Sequence, residues 1–148
     1  MIKMQIINTT NIEKAKQLIK TAQAPIIVLA QNEEFNRKIL EYGKFSVLLS
    51  PEATAGKNKI RQTDSGLNHV LAKIAAENKI AIGINIQKIT KLEKKEKAER
   101  LAKIKQNIKI CRKSKTKLAT LGVKPQEAQN LLQSLGASTS QTKELIIL

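Results

Sequence analysis

Apolar positions along this chain follow two rhythms that take turns. Ile2 to Ile7 is a short apolar run of strand character; behind it, Ile12, Ala15, Leu18, Ile19 and Ala22 recur at helical spacing. Thr10-Asn-Ile-Glu13 has the Thr-x-x-Glu form of a capping box and is expected to open that helix. Pro25 to Ala30 reads as a buried strand, Glu33 to Tyr42 as a helix with Phe35, Ile39 and Leu40 inward, and Phe45 to Leu49 as a third strand. Ser50-Pro51 ends it. Residues 52 to 60 read as a polar loop, and Ile60 to Thr63 as a brief strand.

The stretch from Arg61 to Ile86 organises the rest. Asp64 and Ser65 can each offer an oxygen to free N–H groups at a helix start, and Leu67, Val70, Leu71, Ile74 and Ala75 then recur at i, i+3, i+4, i+7 and i+8. After Asn78 the rhythm changes to Ile80-Ala-Ile-Gly-Ile-Asn-Ile86, a compact run that suits a strand buried on both faces. Thr90-Lys-Leu-Glu93 is a second capping box before the longest helix, which runs to about Lys113 with Ala98, Leu101, Ile104, Ile108 and Cys111 toward the core. Lys95, Lys103, Lys109 and Lys113 are expected on a flank away from that stripe.

Lys117 to Leu121 reads as a further strand. Pro125 stands where a first helical residue tolerates proline, Ala128, Leu131, Leu132 and Leu135 line the helix, and Gly136 is placed to end it. A last short helix is expected from about Thr139 into the apolar tail Leu145 to Leu148. Alternating strands and helices predict an α/β fold with a mostly parallel sheet. A complete eight-fold barrel needs about 250 residues. Five or six strands in 148 residues therefore predict an incomplete (β/α) barrel, and one domain over residues 1–148.

Composition adds a partner class. Lys and Arg number 27 against 12 Asp and Glu, a formal charge of +15. An excess of that size is self-repelling until a polyanion neutralises it, so nucleic acid or an anionic membrane surface is implied. No apolar run approaches the roughly 18 residues of a membrane span, and Met-Ile-Lys-Met-Gln lacks a signal-peptide h-region, so the expectation is a cytoplasmic protein off the membrane. A single cysteine fits a reducing compartment. Lys91 to Lys117 holds twelve basic and three acidic residues, which concentrates most of the charge in one segment. Aromatics make up only 2% of the chain, so an RNA would be held chiefly by its phosphates.

Catalytic chemistry is hard to find. His69, the only histidine, falls opposite the apolar stripe near a helix start and reads as a surface residue, with contact to RNA or a partner as the alternative. Cys111 reads as a small core residue. Ala55-Gly56-Lys57 is far short of a P-loop, and Gly83 inside a strand marks close packing. Glu93, Glu96 and Glu99 stand among lysines at ion-pairing distances along a helix.

Asp64 to Asn85, "DSGLNHVLAKIAAENKIAIGIN", resembles the signature segment of ribonuclease P protein component 3 of archaea and eukaryotes. Pro25 to Ala30 with Asn36-Arg37, Leu48-Leu-Ser-Pro-Glu52, Arg100 to Lys113 and Pro125 to Gly136 are similar to further segments of that family. The resemblance implies a barrel of the polymerase-and-histidinol-phosphatase type, here begun at a later strand than in relatives. It also implies a non-catalytic subunit that binds the catalytic RNA beside a small ferredoxin-like partner and the other ribonuclease P proteins. Precursor tRNA is met through the complex. Magnesium is expected at the RNA's active site, and no cofactor on the protein itself. Leu118 to Pro125 departs from the Ser-Gly-Ala and Arg-Ser-Pro elements of relatives and keeps only the proline.

By charge and position, Lys57, Lys59, Arg61, Arg100, Lys103, Arg112 and Lys113 are the expected phosphate contacts, with Asn68 and His69 as further candidates at the exposed helix start. The competing readings are a general basic RNA-binding or chaperone protein, and a metal phosphoesterase of the same barrel type. The latter would need a His- and Asp-rich cluster.

Overall fold

The computed structural model describes residues 6–54 and 64–148. The expected brief strand at Ile60 to Thr63, and the candidate contacts Lys57, Lys59 and Arg61, lie outside them. The elements in order are β1 (Ile6–Ile7), α1 (Ile12–Thr21), β2 (Ile27–Leu29), α2 (Glu33–Tyr42), β3 (Val47–Leu49), a 3-10 turn (Pro51–Thr54), α3 (His69–Glu77), β4 (Ala81–Asn85), α4 (Ile86–Thr90), α5 (Lys94–Ser114), β5 (Leu118–Leu121), α6 (Pro125–Ser134), α7 (Thr139–Lys143) and β6 (Ile146–Ile147).

The six strands form one parallel sheet in the order β1-β2-β3-β4-β5-β6. Each new strand is laid beside the last, so the order never reverses as it does in a doubly wound sheet. The result is a curled half-barrel, as the sequence implies.

Its two faces carry different cores. Val28, Leu48, Ile82 and Leu118 share the outer face and pack with helix residues such as Ala15, Ile39, Leu71, Ile108 and Leu132. Ile27, Val47, Leu49, Ala81 and Ala119 form a second cluster on the inner face. Strand curvature brings these inner side chains against one another. A Cβ on Gly83 would stand 2.7 Å from Val47 Cγ1 and 3.0 Å from Leu49 Cδ1, so only glycine fits there.

The helix starts differ from the expected ones. Asn11, not Thr10, caps α1: its Oδ1 accepts from the N–H groups of Glu13 at 3.0 Å and Lys14 at 3.2 Å. Thr90 opens nothing, because its hydroxyl is spent on the Gln87 carbonyl at 2.9 Å within α4. α5 starts three residues later behind Glu93, which makes no side-chain cap bond. Asp64 and Ser65 are also not caps. Asp64 Oδ1 accepts from Gly66 N–H and Ser65 Oγ donates to the Leu67 carbonyl, a folded turn that delays α3 until Asn68 caps it at Leu71 N–H, 2.9 Å.

Buried stripes shift with these starts. α3 buries Leu71, Ala72 and Ala75, whereas Val70 is 55% exposed. α5 buries Ile104, Asn107, Ile108, Ile110 and Cys111, and Ala98 lies exposed in its first turns. The tail corrects the last expectation. α7 stops at Lys143, and Ile146–Ile147 pair with Ala119 and Thr120 as an edge strand instead of extending a helix.

Candidate nucleic-acid interface

α5 spans 21 residues, about 32 Å, and lies against α3 and the 3-10 turn. Its contact with the preceding loop is polar and buried. Asn107 Nδ2 donates to the Ser65 carbonyl at 3.1 Å, and Gln106 Nε2 donates to Ser65 Oγ at 3.3 Å. Gly66 closes the same junction at φ +77°, with its α-carbon so near the Pro51 carbonyl that a Cβ would collide with it. Thr116 Oγ1 donates to the Ala72 carbonyl at 2.8 Å and ties the far end of α5 to α3. The basic helix is thus tied to the loop before α3 through Ser65 and to α3 itself through the Ala72 carbonyl.

Two basic faces separate on this helix. Toward the 3-10 turn, Arg100 and Lys103 stand by Glu52, which is 2% exposed. Arg100 Nη1 lies 3.8 Å from Glu52 Oε1, an ion pair too long for a hydrogen bond, and among the described residues that oxygen has no hydrogen-bond partner. Burial pushes the carboxyl up to about 7; its own backbone N–H, Arg100 and Lys103 pull the other way without prevailing. Lys103 is half-buried and near enough for its charge to act on Glu52, whereas Lys109 and Lys113 are exposed, so the expected common flank is divided.

Toward α3 the second face is a ladder. Lys105, Lys109 and Lys113 follow one another at four-residue intervals, all exposed, and among the described residues none is in an ion pair. With His69, Gln106 and Ile110 they line a groove of about 450 Å³ between α5 and the first turn of α3. Successive lysines are about 6 Å apart along the axis.

Of the candidates named from sequence, His69 and Lys113 meet at this groove, and Arg112 is exposed beside it on α5. Arg100 and Lys103 are drawn to Glu52. Asn68 is a cap whose Nδ2 also donates to Glu33 Oε1 at 3.2 Å, so its side chain is engaged inside the fold. Lys105 and Lys109 are functional candidates that sequence reasoning passed over, although their spacing to Lys113 was the available signal.

Cys111 is fully buried and its thiol is pushed up to about 12 by burial, which makes it an inert packing residue as expected. Among the described residues, no group of three or more His, Cys, Asp or Glu could hold a metal ion. No helix among them is long and apolar enough to cross a membrane.

No protein-family model matches the chain. It is similar to the ribonuclease P protein component 3 of Methanococcus maripaludis, 25% identical over 115 residues that cover 78% of this chain and 47% of the relative. The counterpart of the same name from Methanosarcina mazei is 34% identical over 88 residues, 60% of this chain and 34% of that protein. The chain spans about half the length of the curated relatives it matches. Among solved structures, a chain in a cryo-EM structure of archaeal ribonuclease P with mature tRNA superposes with a TM-score of 0.78 at 21% identity, over 94% of this chain and 62% of that one. That likeness shows the shared fold.

Proposed function

We propose that this chain, a relative of archaeal ribonuclease P protein component 3, acts as an RNA-binding protein subunit of a ribonuclease P ribonucleoprotein and leaves bond cleavage to the RNA. The observation that carries this reading is the lysine ladder on α5, which makes no ion pair among the described residues and belongs to a helix tied to the half-barrel by hydrogen bonds from Asn107 and Thr116. Fixed cations of one sign suit phosphates and release their counterions on binding. Its similarity to component 3 sequences supports a ribonuclease P complex as the setting for that surface.

Within the complex, the protein contributes position and positive potential. A small ferredoxin-like subunit and other ribonuclease P proteins are the proposed neighbours, and magnesium at the RNA active site is the proposed metal. Precursor tRNA is engaged through the assembly.

The test is reconstitution. Adding this chain with its partner subunit to the cognate RNA is expected to raise precursor-tRNA cleavage at moderate magnesium. No change in cleavage on addition defeats the proposal, and RNA binding without any effect on cleavage favours a general RNA chaperone instead.

A further inference from the structure

We propose that the groove between α3 and α5 holds RNA in single-stranded form, with consecutive phosphates on Lys105, Lys109 and Lys113 and one base against His69. The proposal rests on the RNA-binding reading and narrows it to a form of ligand. Three observations carry it.

The first is spacing. Lysines four apart on a helix advance about 6 Å per step, a separation comparable to that of neighbouring phosphates along one strand. All three side chains line the same groove and are exposed to it. A single strand can follow such a line phosphate by phosphate. A duplex, whose strands wind away around its axis, meets a straight row at one or two points.

The second is size. A groove of about 450 Å³ lies in the range of sites that take one small molecule, so it has room for a single turned-in nucleotide. Its lining is mixed, with the polar Gln106 and the apolar Ile110 beside the lysines. Bases that are splayed from single strands are the usual targets of protein contacts to RNA.

The third is the ring. Among the residues lining the groove, His69 is the only one with a planar ring, and the sequence around it offers no other aromatic side chain. Imidazole can stack on a base as larger rings do. α3 begins at His69 because Asn68 caps it, so the ring is held at the groove mouth by the helix start.

Binding of a short single-stranded RNA and of the same strand annealed to its complement, measured across a salt series with the purified chain, tests this. Expected is tighter binding of the single strand by about five-fold or more, the lower end of what one stacked base contributes. The double variant Lys105→Gln/Lys109→Gln should lower the single-strand salt slope by about 1.4, the share of two phosphates. The charge-matched control Lys14→Gln/Lys20→Gln on α1 should leave it in place. His69→Ala should lose the preference for the single strand, and His69→Phe should restore it. Equal affinity for both RNAs overturns the single-strand assignment while the RNA-binding reading stands. An equal loss of slope in the α1 control also overturns it, because the charge would then act diffusely. Binding to neither RNA overturns both.

Discussion

At the scale of single residues, Glu52 is the side chain most at odds with its surroundings. It sits buried in the 3-10 turn after β3, and its Oε1 is ion-paired to Arg100 at 3.8 Å but has no hydrogen-bond partner among the described residues. A carboxyl held near 7 in the fold and near 4.5 when unfolded means that the folded chain binds more protons between those values. Stability is therefore full below about 4.5 and declines as pH rises to about 7, the opposite sense to a salt-bridged carboxylate. Converting the shift gives a cost of roughly 3 kcal/mol at alkaline pH. Thermal unfolding across pH 4 to 8 should show the wild type losing stability relative to Glu52→Gln through that window; parallel curves would mean that the carboxyl is solvated. Sequence showed this residue only as part of Leu-Leu-Ser-Pro-Glu52, because burial of a charge is decided by the loop and helix that close over it and not by its neighbours in the chain.

At the scale of elements, the strands and helices were legible and their first residues were not. α2 falls on Glu33–Tyr42 as its periodicity predicts, since Asn32 is the one capping side chain in reach. Where several candidates lie close together, the pattern does not decide among them: Asn11 caps and not Thr10, Asn68 and not Asp64 or Ser65, and α5 has neither Thr90 nor any side-chain cap. Asn68→Ala should accordingly cost about 1 kcal/mol in chemical denaturation, the usual penalty of a lost cap, because Leu71 N–H loses its partner. A large loss of RNA affinity at unchanged stability would instead make Asn68 a contact.

The charge of α5 divides in the same way. From sequence the segment is one basic run, but helical geometry sends Lys103 to Glu52 and Lys113 to the groove. Lys113→Glu should weaken RNA binding and flatten its salt slope. Lys103→Glu sets a second carboxyl near a buried one and should act first on stability. Measuring both variants in binding and in thermal unfolding separates the two faces. Comparable losses of affinity at unchanged stability would show that the run acts as one surface. The ladder itself was within reach of sequence, because Lys105, Lys109 and Lys113 share a four-residue period; what the sequence did not show was the approach of α3 to α5, which turns a row of lysines into a groove.

At the scale of the molecule, the order of strands followed from the alternation of elements, but the curl did not. Periodicity tells which residues are apolar and leaves open whether the inner face of the sheet meets another layer or itself. The answer lies in Gly83, where Val47 and Leu49 from the adjacent strand fill the space that a Cβ would need. Gly83 has no positive φ, so its requirement is for room alone. Gly83→Ala should thus destabilise by about 1–3 kcal/mol, the usual cost of overpacking. Trimming the neighbour tests the cause: Val47→Ala removes the methyl that stands nearest and creates space in the same inner cluster. In a curled sheet the double variant should recover part of the combined loss, with a coupling of about 0.5–3 kcal/mol between the sites. Strict additivity would show that the two side chains do not share space on the inner face of the sheet.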